Sequence, residues 1–134
     1  MASVGKIFAT AAIAIALAAG SAALAAEQEK FAFSEALPNV PGQRLTAVVV
    51  SYAPGESSRA HRHAGSVYAY ILSGAVRSKN SATGAARVYK AGESFFEPPG
   101  STHLISENAS KTEPAKLLAV FVADDGATLT TPVK

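Results

Sequence analysis

The sequence predicts an all-β domain, a barrel or sandwich of short strands. From Leu45 onward the chain runs as brief segments rich in Val, Ile, Tyr and Phe: LTAVVVSY, RAHRH, SVYAYIL, AVRSKN, ARVYK, SFFEP, THLIS and AKLLAVFVA. Gly, Pro, Asn and Ser separate them, and these are the residues that turns demand. Past the N-terminal leader no stretch keeps a helical apolar period. Many short strands at this spacing indicate a closed or two-layered β architecture.

The elements follow in order. Lys6 gives a positive start, and Ile7 to Ala19 (IFATAAIAIALAA) is an apolar run of 13 residues. Gly20, Ser21 and the small-x-small triplet Ala23-Leu24-Ala25 follow, which is the layout of a cleavable signal peptide over residues 1–25. The run is short beside the roughly 20 apolar residues of a membrane span. This reading predicts a secreted or periplasmic protein with no membrane attachment after cleavage; the competing reading is an uncleaved anchor. Residues 26–43 read as an arm, in which Phe31 and Phe33 anchor a short strand and Pro38 and Pro41 break regular structure. Residues 44–134 form one barrel domain. Ser73-Gly74, Thr83-Gly84 and Lys90-Ala91-Gly92 mark hairpin turns. Leu117 to Val122 is apolar on both faces, so it is either a central strand or a strand whose outer face meets another subunit.

Composition narrows the function. Twelve basic and ten acidic residues leave a formal net charge of +2, and the leader accounts for one cation, Lys6. That balance excludes nucleic acid as a main partner. The chain has no cysteine. It therefore forms no disulfide, and any metal site must use nitrogen and oxygen ligands.

The chain contains three histidines. His61 and His63 are two apart, which puts both rings on one face of a strand and suits two ligands to one metal. His103 follows the tight Pro98-Pro99-Gly100 turn. The residues between and around them are similar to the two motifs of small single-domain cupins, the exported bacterial type of the conserved-barrel superfamily. Motif one reads Gly55, ESSRA, His61-Arg62-His63, AGS, Val67, YAYILS, Gly74. Motif two reads Gly92, ESFFE, Pro98-Pro99-Gly100, ST, His103, LIS, Glu107, with the family's Asn one place late as Asn108. The resemblance implies a jelly-roll β-barrel, or double-stranded β-helix. It also implies one divalent metal inside that barrel, held by His61, His63 and His103. The family's fourth ligand is a Glu, and Val67 stands in its place.

Three outcomes follow from that exchange. The centre is a three-histidine site, as in cupin dioxygenases that act on thiols and diketones. Or the site is lost. Or a carboxylate comes from elsewhere, and Glu97 is the candidate. It occupies a position that is usually aliphatic and inward in the family, and an inward carboxylate is costly unless paired or metal-bound. The alternative for Glu97 is a rim position facing solvent. By strand alternation Val67, Ala69 and Ile71 line the pocket, Phe95 shares the face of Glu97, and Ile105 completes the wall. Arg59 shares the parity of His61 at the mouth, and Arg62 points out. A slip of one residue would bring Tyr68 and Tyr70 inward instead.

The resemblance implies a small-molecule metalloenzyme of dioxygenase type. Fe(II) suits three imidazoles, with Mn, Ni, Cu and Zn open. The alternatives are a non-catalytic periplasmic metal- or ligand-binding module and a purely structural barrel, since one fold hosts many functions. A homodimer is expected, with the Phe31-Phe33 arm or the Leu117 strand at the contact. Asn108-Ala109-Ser110 matches a glycosylation sequon and carries little weight.

Overall fold

The computed structural model describes residues 27–134; the leader predicted over residues 1–25 lies outside them. Ten strands follow in order: β1 (Gln28–Ala36), β2 (Gln43–Tyr52), β3 (His61–His63), β4 (Ser66–Ser73), β5 (Ala75–Asn80), β6 (Arg87–Lys90), β7 (Ser94–Glu97), β8 (Thr102–Asn108), β9 (Ala115–Asp124) and β10 (Thr130–Pro132). Among the described residues there is no helix. The strands make two five-stranded sheets, β1-β2-β9-β4-β7 and β10-β3-β8-β5-β6. Every pairing is antiparallel.

The core follows from the two-residue period of a strand. In β9 Leu117, Ala119 and Phe121 are buried while Leu118, Val120 and Val122 are half-exposed. In β4 Val67, Ala69 and Ile71 are buried, and Tyr68 and Tyr70 face out. These rows pack with Tyr52 from β2 and Val76 from β5. The run Leu117–Val122 is thus a central strand, between β2 and β4. The arm is more regular than expected: residues 28–36 form a full edge strand on β2.

One expectation needs correction. Ile105 does not join the pocket. Between β5 and β8 the pairs run Ser78 to Ser106, Lys79 to Ile105 and Asn80 to His103, with Leu104 unpaired. This extra residue is a β-bulge, and it shifts the alternation of β8 by one. His103, Ser106 and Asn108 are all buried as a result, while Ile105 sits opposite Lys79 on the other face. The bulge also accounts for the late asparagine. Asn108 lies five residues after His103, and the inserted residue returns it to the inner face. There its amide donates to the carbonyls of Ala53 at 3.1 Å and Glu113 at 2.7 Å. Buried and doubly bonded, it offers no acceptor for a glycan in the folded chain.

Gly65 fixes how motif one enters the barrel. A Cβ there would lie 2.0 Å from the Val122 carbonyl oxygen and 2.9 Å from the Ala123 Cα, both backbone atoms of β9. Only glycine lets the chain leave β3 so close to β9. Gly65→Ala should therefore lower stability by about 1–3 kcal/mol, the usual cost of overpacking. Chemical denaturation checks it, and an unchanged midpoint would contradict the close approach.

Candidate metal centre

The register of two short strands brings the histidines together. His61 on β3 lies directly opposite His103 on β8, and His63 is two residues along on the same face as His61. Their ring centroids are 4.6 Å apart for His61 and His63, and 5.1 Å for His61 and His103. One ligand nitrogen from each falls within 4.8 Å of the others. Phe121 packs on His63 at 5.1 Å and Phe95 on His103 at 5.8 Å, both edge-on. The rings are thus held by apolar neighbours as well as by hydrogen bonds.

Glu97 reaches this cluster from the other sheet. It is 3% exposed, so it faces inward and not the rim. On β7 it lies directly across from Val67 on β4. A cross-strand pair shares one face with its Cβ atoms roughly 5 Å apart. A carboxylate therefore sits one strand away from Val67, at the same depth in the barrel. Its Oε1 is 3.0 Å from His103 Nδ1 and its Oε2 is 3.5 Å from His63 Nε2.

Several partners escaped the sequence reading. Asn80 Nδ2 donates to Glu97 Oε1 at 3.1 Å and to Ser101 Oγ at 2.9 Å. Ser78 Oγ lies 2.8 Å from His103 Nε2. A usable signal was present: Val76, Ser78 and Asn80 share strand parity, so burying Val76 buries the other two. The C-terminal partners left no such signal. β10 pairs Thr130 with His63, and the Leu129 carbonyl is 3.1 Å from His63 Nδ1. Arg59 precedes β3 in a loop, is exposed, and offers its own carbonyl to His61 Nδ1 at 2.6 Å.

These bonds define which ring nitrogens are free. A carbonyl only accepts, so Nδ1 of His61 and of His63 carries the proton in each of those bonds. In the neutral rings both Nε2 atoms are then bare lone pairs. Burial pushes both imidazoles below their ordinary range; the Arg59 carbonyl partly opposes this for His61, and Glu97 for His63. Burial alone would raise Glu97, but the hydrogen bond and charge of His103, with His63 and Asn80, outweigh it and hold the carboxyl below its ordinary range. An ionised carboxylate thus faces a neutral Nε2 lone pair at 3.5 Å, an arrangement that a cation between them relieves. The donor set, imidazole nitrogen and carboxylate oxygen, fits a divalent transition metal. The Nδ1–H bonds to carbonyls are the kind that orient histidine ligands.

The same shifts set a pH dependence. Unfolded, the two rings titrate near 6.5; folded, they titrate lower. Between those values the unfolded chain binds more protons, so stability is lost as pH falls below about 6.5. Urea melts of chelator-treated protein at about pH 7.5, 6 and 5 should show falling midpoints. His61→Gln with His63→Gln should flatten that slope, and a wild-type slope already flat would refute the assignment.

Comparison with known proteins agrees with this fold. A family model described as a cupin domain matches residues 48–121. No curated protein matches the chain. A solved structure of an uncharacterised Klebsiella pneumoniae protein with a double-stranded β-helix domain superposes with a TM-score of 0.61 at 21% identity, covering 81% of this chain and 86% of that one. A DMSP lyase from Ruegeria pomeroyi gives 0.57 at 22% identity, covering 66% and 43%. Bacillus subtilis oxalate decarboxylase, described with Mn(II) centres, gives 0.56 at 26% identity over 66% of this chain and 24% of its own length. The chain thus spans a minor part of both enzymes.

Proposed function

The chain belongs to the cupin family, and from that premise we propose that it is a small-molecule metalloenzyme of dioxygenase type holding one divalent metal ion. Its ligands are His61, His63 and His103, with Glu97 as the acidic member. One observation carries this reading: the buried Glu97 carboxylate faces His63 Nε2 at 3.5 Å, where His61, His63 and His103 each bring one ring nitrogen within 4.8 Å of the others. Burial opposes a shared proton there, because it lowers the affinity of both rings for it. A metal ion takes the proton's place. When bound, such an ion supplies Lewis acidity and open positions for a small substrate and O2.

The chain's own residues do the rest. The carbonyls of Arg59 and Leu129 hold His61 and His63 in one tautomer, which leaves Nε2 of each without a proton. Asn80 fixes Glu97. Both ring nitrogens of His103 carry a partner, Glu97 at Nδ1 and Ser78 at Nε2, so His103 gives up one of these contacts when it ligates an ion. Val67, Ala69 and Phe121 line the adjoining interior and keep it apolar, which strengthens electrostatic contacts near the centre. Iron is the first choice of metal, and the Mn(II) centres described for the oxalate decarboxylase make manganese the second.

We further assign the protein to the periplasm or the exterior, as a homodimer. An outward row crosses all five strands of the first sheet: Phe33, Ala47, Val120, Tyr68 and Phe96 follow one another in register. Phe33, Tyr68 and Phe96 in that row are 53%, 46% and 50% exposed. A contiguous apolar face of this kind suits a second subunit.

Metal titration of the chelated protein should give one divalent ion per chain. His61→Ala or His103→Ala should abolish tight binding, and Glu97→Gln should weaken it by about 10- to 100-fold. Unchanged affinity in Glu97→Gln would remove that residue from the centre. Oxygen uptake by the iron-loaded protein against thiols, diketones and flavonols tests the reaction; tight metal binding without turnover on any of them would favour a binding module. Sedimentation analysis should report a dimer that Tyr68→Glu dissociates, and a monomeric wild type would overturn that assembly.

A further inference from the structure

A cleft of about 340 Å³ opens beside His61. Ser57, Ser58 and Arg59 form one wall, Thr130 and Pro132 of β10 the other, and His61 also lines it. His63 and His103 do not, so the cleft meets the histidine cluster along one ring.

The wall that carries Arg59 is pinned at several points. The Ser58 amide donates to the Ser106 carbonyl at 2.8 Å, the Asn108 amide to the Glu56 carbonyl at 2.8 Å, and the Val133 amide to the Ala60 carbonyl at 3.0 Å. The Arg59 carbonyl is itself the acceptor for His61. The backbone that presents the guanidinium is therefore fixed to the ring. Yet among the described residues that guanidinium has no carboxylate in ion-pair range. A planar fork of donors that lines a cleft and is left unpaired matches a carboxylate, which it binds with two parallel hydrogen bonds.

Glu27 sets the limit on charge. It lines the same cleft, and its carboxylate accepts from the Ser58 hydroxyl, which also bonds Tyr52 Oη at 2.6 Å. Its acceptor oxygens would repel a second anionic group.

We infer that this cleft is the mouth of the centre and that it takes a small organic acid with a single carboxylate, held on Arg59 and with its other end directed to His61. The inference rests on the metal-centre reading above and adds the substrate class. It disfavours a dicarboxylate such as oxalate as the ligand, despite the structural likeness to oxalate decarboxylase.

The test uses amide NMR titrations of the zinc-loaded full chain with acetate, benzoate, benzamide and phthalate. Benzoate or acetate should saturate and shift the amides of Ser57, Ser58 and Thr130. Benzamide should bind about tenfold more weakly than benzoate, the loss expected for a charged hydrogen-bonded pair. Arg59→Gln should erase that preference, and Arg59→Lys should keep part of it. Phthalate should bind below benzoate, and Glu27→Gln should narrow that gap. Equal binding of benzoate and benzamide, an unchanged preference in Arg59→Gln, or no saturation with either monoacid overturns the inference. Elemental analysis runs alongside: a wild-type chain that takes up no metal sinks the metal reading, whereas metal uptake without acid preference sinks only this one.

Discussion

A carboxylate at 3% exposure in an apolar barrel organises the rest of the molecule. Buried charge is tolerated only with a counter-charge or several hydrogen bonds. Glu97 has contacts from three other strands: His63 on β3, Asn80 on β5 and His103 on β8. These all lie in the second sheet, while Glu97 itself belongs to the first. One polar contact between the sheets is therefore made at the centre, alongside the buried hydrogen bond of 2.7 Å between Tyr52 Oη on β2 and Ser106 Oγ on β8. Moving either sheet by the few tenths of an ångström that hydrogen bonds notice would disturb the site.

The two sheets divide the work. The first supplies most of the apolar core, through the buried rows of β4 and β9. The second turns polar groups inward: Ser78 and Asn80 from β5, and His103, Ser106 and Asn108 from β8. An inner face that polar is poor material for a hydrophobic layer, since each buried polar atom must find a partner. The bonds of Ser78 to His103 and of Asn80 to Glu97 meet that demand. The stable sheet thus acts as a wall, and the polar sheet is laid against it and tied by side chains.

Much of this was legible because period-two alternation is local. The strands, the inward row Val67, Ala69 and Ile71, and the shared face of His61 and His63 needed only spacing and residue type, whereas the absence of a ligand at position 67 was legible through the motif resemblance. The cupin barrel was legible from the motif resemblance, and the family match over residues 48–121 agrees with it. What failed depended on departures from strict alternation or on distant pairing. Ile105 was misplaced because one unpaired residue, Leu104, reversed the parity of β8, and nothing in THLIS marks a bulge. The partners of His63 on β10 were invisible, since residues 129 and 130 approach it only through long-range pairing. Ser78 and Asn80 were legible in principle, from the strand parity they share with Val76. The opposition of Val67 and Glu97 required the register of β4 with β7, which no spacing within either motif encodes.

That register bears on the chemistry because charge, and not only ligand geometry, decides what such a centre attracts. Three neutral imidazoles and no acid would leave a divalent ion with its full charge inside an apolar wall, where uncompensated charge is expensive. One carboxylate beside it lowers the net charge to about +1. In the proposed centre position 97 would supply that carboxylate in place of position 67, its cross-strand partner on the same face. The direction of approach differs, however. From β7 the carboxylate comes in beside His63 and His103, on the side away from the cleft at His61. With a divalent ion in the proposed centre, the face of His61 toward Arg59 would lack an acid ligand, and the residual positive charge would be felt most strongly there. A single anionic group arriving through the cleft would complete neutrality, and a second would exceed it and meet Glu27 at the wall.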